Sequence, residues 1–149
     1  MQSELFNSVF EMELRVLLLL SSGRKLLLST DRIVNLDFIV CYAERFQLPY
    51  ENLHGDNDYM YGELANRRSL VNAAIKNLVL DGLIDVNFDE GFLYSISESG
   101  KKYVKTLESD YAIVYREIAN EAVKVFKKMS DTELDDAIHG NAIRSLGGR

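Results

Sequence analysis

The sequence predicts a mainly α fold: a winged-helix core of three helices and a two-stranded β-hairpin, with additional C-terminal helices. Apolar residues recur at spacings of three and four along most of the 149 residues, and Pro49 is the only proline available to break a helix. One stretch, 83–96, changes instead to strand-like alternation around Asp89-Glu90-Gly91, which signals a hairpin. Three helical stretches come before that hairpin, and this is the winged-helix order.

The first helix is expected from about Ser8 to Leu20, with Phe10, Leu14, Leu17 and Leu18 widening its apolar face and Ser21-Ser22-Gly23 ending it. The second is expected from Asp31 to Phe46, with Thr30 as N-cap and Ile33, Leu36, Val40 and Ala43 facing inward. Gln47 to Gly62 reads as a loop, because Pro49, Gly55 and Asp56-Asn57-Asp58 favour turns. The third helix runs from Glu63 to Leu80 and stops at Asp81-Gly82. Strands are expected over 83–88 and 92–96. Ser97 then opens a short helix to about Leu107, and a long amphipathic helix follows from Asp110 to Met129. Ser130 and Glu133 fit a capping box that starts a last helix to about Ile138. Residues 1–129 are read as the winged-helix domain including the long amphipathic helix, and 130–149 as a short helix and a flexible tail.

Composition narrows the function. The chain is 47% hydrophobic and 27% charged, a globular balance. Its 23 acidic residues outnumber 17 basic ones, for a net charge of −6, so the surface as a whole repels phosphates. A DNA-reading winged helix would set its third helix in the major groove, which makes Arg67, Arg68 and Lys76 candidate nucleic-acid or partner contacts. Against this, six acidic residues match six basic ones between Glu63 and Leu107, and the wing tip carries Asp89 and Glu90. These charges are equally those of a solvated helix face.

Cys41 is the single cysteine, which excludes an intrachain disulfide and fits a reducing compartment. Met1-Gln2-Ser3-Glu4 does not begin a secretory leader, and the most apolar run, Val16 to Leu20, is too short to span a bilayer. A cytoplasmic protein with no membrane partner is expected. No phosphate-loop motif occurs, and His54, His139 and Cys41 lack metal-ligand spacing. No catalytic residue, cofactor or metal is therefore expected. Tyr59, Met60 and Tyr61 in the loop, and Tyr111, Tyr115 and Phe126 on the long helix, are the candidate protein-interface residues. The apolar stripe of that helix has to be covered by this domain, by a second copy or by another subunit.

Several segments together resemble a known family. They are Leu5-Phe6-Asn7-Ser8 with Glu13-Leu14-Arg15, Asp31 to Phe38, Gly62-Glu63-Leu64 with Arg67-Arg68, and Ser109-Asp110-Tyr111 followed by Arg116-Glu117. Their order and spacing resemble the middle component of ABC-three-component systems, the small subunit encoded between an SMC/Rad50-like ATPase and an effector in Lamassu-type bacterial anti-phage loci. The loop from Leu53 to Asp58 departs from the proline-rich pattern of the family. The resemblance implies a non-enzymatic accessory or scaffold subunit that bridges the ATPase and an effector, of nuclease or other type, with DNA met through the complex. The alternative reading is a transcription regulator, homodimeric through the long helix, that binds DNA with its winged helix.

Overall fold

The helices begin where the sequence supplies an oxygen to cap them. In the computed structural model, which describes residues 8–54 and 60–146, α1 (Val9–Leu20) starts at Ser8, whose hydroxyl accepts from the Glu11 amide at 3.0 Å. Helix α2 (Thr30–Cys41) is capped by Ser29, accepting from the Arg32 amide at 3.1 Å, and not by Thr30. Ser29 is still extended, so the cap falls one residue earlier than the sequence suggests.

Helix α2 also ends sooner than expected. Tyr42 leaves helical geometry, and a single 3-10 turn, Ala43–Phe46, follows. The Cys41 carbonyl accepts from the His54 amide at 3.3 Å, and Asn52 Oδ1 accepts from the Glu44 amide at 2.9 Å. The start of the loop therefore folds back over the helix end. A second 3-10 turn, Met60–Glu63, leads into α3 (Leu64–Leu80), which stops at Gly82 with a positive φ of 73°.

Strands β1 (Ile84–Phe88) and β2 (Phe92–Ile96) pair antiparallel, with Ile84 opposite Ile96 and Phe88 opposite Phe92. Leu28, just before α2, adds a bridge to Tyr94 through two backbone hydrogen bonds of 2.9 and 3.0 Å. Helix, bridging residue, two helices and hairpin together make a winged-helix-like, mainly helical fold, as the sequence predicts.

Ser97 then does three jobs at the base of the hairpin. Its amide donates to the Leu83 carbonyl at 3.1 Å, its hydroxyl donates to the Gly82 carbonyl at 2.7 Å, and the same oxygen caps α4 (Glu98–Val104) by accepting from Gly100 at 3.0 Å. Gly100 is needed here, since a Cβ would collide with the Leu83 carbonyl oxygen and lie 2.7 Å from Ile96 Cγ1. Helix α5 (Asp110–Val125) is capped by Ser109 and ends four residues before the expected Met129. Helix α6 (Asp131–Leu146) opens with the full capping box, Ser130 and Glu133 exchanging bonds of 2.8 and 3.0 Å, and runs past the expected Ile138.

Two helices form the centre of the core. Every residue of α1 from Arg15 to Leu20 is buried, and so is every residue from Ile33 to Ala43. A helix buried on all sides is one that neighbours enclose completely. Val71, Ala74 and Leu78 of α3, and Ile118, Ala119 and Ala122 of α5, close around them. Helix α6 joins the same core with Leu134 and Ile138, and its start is held by Arg32, which bonds Asp131 at 2.8 Å and the Phe126 carbonyl at 2.7 Å. Among the described residues no helix is long and apolar enough to cross a membrane.

Candidate interaction surfaces

The largest concentration of polar chemistry lies inside the molecule. Asp37, in the middle of α2, accepts from Arg15 Nε and Nη2 of α1 at 3.0 Å each, from Arg67 Nη1 of α3, and from the Tyr115 hydroxyl of α5 at 2.6 Å. One carboxylate thus ties four helices together, and all four side chains are buried. Burial alone would push the Asp37 carboxyl up, but the Arg15 and Arg67 guanidiniums and the donated hydrogen bonds hold it well below the usual carboxylate range. Burial raises the Tyr115 phenol, and the neighbouring Asp37 charge raises it further. It therefore stays a donor.

Arg67 also lies over the Phe38 ring at 5.3 Å, and its Nη2 is 3.8 Å from Glu63 Oε1. Its Nε and Nη2 make no hydrogen bond. Cys41 completes the cluster 3.9 Å from Asp37, and burial pushes its thiol up to about 12, so it is an inert neutral group. Next to this knot, His54 Nε2 meets the Tyr111 hydroxyl at 2.8 Å, and burial lowers the imidazole to about 3, helped by the Arg15 charge. The knot is closed to solvent and offers a substrate no way in. Among the described residues no three His, Cys, Asp or Glu side chains converge to hold a metal.

This arrangement corrects two of the expected contact residues. Arg67 is 2% exposed and Tyr115 is fully buried, so neither meets a partner at the surface; both serve the Asp37 knot. The middle of the α5 stripe, Tyr115, Ile118 and Ala122, is covered by α1 and α2 of the same chain, while Val125 at its end is 53% exposed. Arg68 and Lys76 do lie on the exposed side of α3, and Arg68 is ion-paired with Asp31. Tyr111 and Phe126 are partly buried against the core. Met60 and Tyr61 open the second 3-10 turn, while their side chains, and the whole of Tyr59, lie outside what is described.

A cluster of exposed apolar side chains lies on the wing, which residue patterning did not single out. Pairing places Ile84, Val86 and Phe88 on the same hairpin face as Phe92, Tyr94 and Ile96. The inner end of that face packs on the core, and the outer end leaves it: Phe88 is 72% exposed and Phe92 60%. Their rings meet edge to face, with centroids 5.4 Å apart.

A family model, described as ABC-three component (ABC-3C) system Middle Component 2, matches residues 5–147. The chain belongs to that family. No curated protein and no solved structure gives a significant match. As a Middle Component 2 protein the chain is the middle component of an ABC-three-component defence system, consistent with an accessory subunit that acts alongside other components.

Proposed function

We propose that this Middle Component 2 chain is the non-catalytic subunit that bridges an SMC/Rad50-like ATPase and its effector in a Lamassu-type anti-phage complex in the cytoplasm. The observation that carries a protein-binding role is the wing tip, where Val86, Phe88 and Phe92 form an apolar patch beyond the core. Large exposed aromatics seek protein, and Asp89 and Glu90 at the tip repel the phosphates that a DNA-reading wing approaches. The regulator alternative is weakened by the same geometry. Arg67 is engaged in the core and Arg68 is paired with Asp31, which leaves Lys76 as the one cation among the three candidates with no ion pair among the described residues. DNA is then met through the assembled complex.

Affinity purification of the tagged chain, expressed with the genes of its own locus, tests this. The wild-type chain is expected to carry the ATPase and the effector at stoichiometric yield. The Phe88→Ser/Phe92→Ser variant, folded because both rings lie outside the core, is expected to lose at least one partner about tenfold or more. Recovery of the wild-type chain alone would sink the accessory-subunit reading. Full recovery with the variant would remove the wing from it.

A further inference from the structure

The chain carries a net charge of −6, yet one hollow is strongly basic. It has a volume of about 680 Å³ and lies between the α1–α2 connection, the inner end of β2, α4 and α5. Arg24, Lys25, Lys101, Lys102, Lys105 and Arg116 line it, and Glu98 is the one acid among the described lining residues. Taking these from the 17 basic and 23 acidic residues of the chain leaves 11 basic and 22 acidic elsewhere. Glu98 is already paired with Lys101 at 3.2 Å, and among the described residues Arg24, Lys25, Lys102 and Lys105 have no ion pair.

The lining is also partly aliphatic. Leu26, Leu27, Ile96 and Val104 contribute to it, and Leu27 is 50% exposed. A second hollow of about 420 Å³ shares Ser21, Val104 and Arg116 with the first, extends the apolar lining to Leu107, Ala112 and Ile113, and adds one acid, Glu117. The result is one groove that combines a basic rim of exposed cations with an aliphatic lining.

We infer that this groove takes an acidic protein segment carrying aliphatic residues, supplied by another component of the complex. Such a segment satisfies both parts of the groove, with carboxylates at the rim lysines and aliphatic side chains on Leu27 and Val104. A nucleic-acid strand matches only the rim. Among the described lining residues there is no aromatic side chain on which bases could stack. The inference names the partner chemistry within the accessory-subunit reading and rests on it.

The test places a photo-crosslinking p-benzoyl-phenylalanine at Leu27 in the full complex. Crosslinks are expected on a protein segment containing Asp or Glu next to aliphatic residues. They are expected to fall at least tenfold with Lys102→Glu/Lys105→Glu, and to return when acidic residues of the captured segment are changed to lysine. Thermal melting establishes that the exposed-lysine variant is folded, and Lys102→Ala/Lys105→Ala, with an intermediate loss, serves if it is not. Crosslinks to nucleic acid, to a second copy of this chain or to a segment without acids would overturn the inference, as would none at all or a yield that ignores the lysines. Assembly that proceeds without using the groove defeats only this inference, whereas a wild-type chain that captures no component defeats the reading beneath it.

Discussion

The Asp37 knot and the groove beside α4 both gather cationic side chains, but they use charge in opposite ways. In the knot, two arginines and a tyrosine are desolvated around one carboxylate, and no charge reaches water. In the groove, six cations face two acids, Glu98 and Glu117, and all stay exposed. Desolvated charges must be paired, or folding bears the full cost of burying them. Solvated charges cost little to leave unpaired and remain available for recognition. Neither a residue's type nor its charge marks it as a binding residue; its solvation does.

The largest effect is expected from removing the shared acceptor. Asp37→Ala strands two buried guanidiniums and is expected to cost about 3–5 kcal/mol, a large part of the stability of a domain this size. Urea unfolding would measure it, and a loss below about 1 kcal/mol would show that the knot is not holding the helices. Gly100→Ala, under the groove, is expected to cost about 1–3 kcal/mol, because the new methyl group meets the Leu83 carbonyl and Ile96. Melting temperature reads this, and no change would mean that α4 moves freely against the hairpin.

His54 supplies a pH signature. Its folded value, about 3, lies below the roughly 6.5 of an unfolded histidine, so between these limits the unfolded chain binds more protons. Its contribution is fully present above about pH 6.5 and is lost as pH falls toward 3, at up to about 1.4 kcal/mol per pH unit. Denaturation curves between pH 6.5 and 4.5 are expected to show that slope and a flatter one with His54→Gln; equal slopes would contradict it. The smallest effect is expected at the groove itself. Lys102→Glu/Lys105→Glu should change stability by no more than about 0.5 kcal/mol while abolishing capture of the partner segment.

Much of the fold was legible in the sequence because periodicity and capping are local. Ser8, Ser97, Ser109 and Ser130 sit within three residues of the amides they cap, and Asp89-Glu90-Gly91 marks its own turn. The contacts of Arg67 were not legible, because its partner Asp37 is 30 positions away and its neighbour Arg68 has the same chemistry with the opposite exposure. A signal did exist: Asp37 and Arg15 are single charges inside runs that are otherwise apolar, and such residues require buried partners. The groove was hidden by summation. Counting charges between Glu63 and Leu107 gives zero, but folding sends Lys101, Lys102 and Lys105 to the groove and Asp89 and Glu90 to the opposite end of the hairpin.

Strand β2 gives that separation a length scale. Phe92 stands at the wing tip and Ile96 lines the groove, four residues along one extended strand, or about 13 Å at roughly 3.3 Å per residue. Two polypeptides seated at the two ends of β2 at once are neighbours by necessity, close enough for their own side chains to touch. A chain of 149 residues can in this way set the distance between much larger bodies, using a single strand as the spacer.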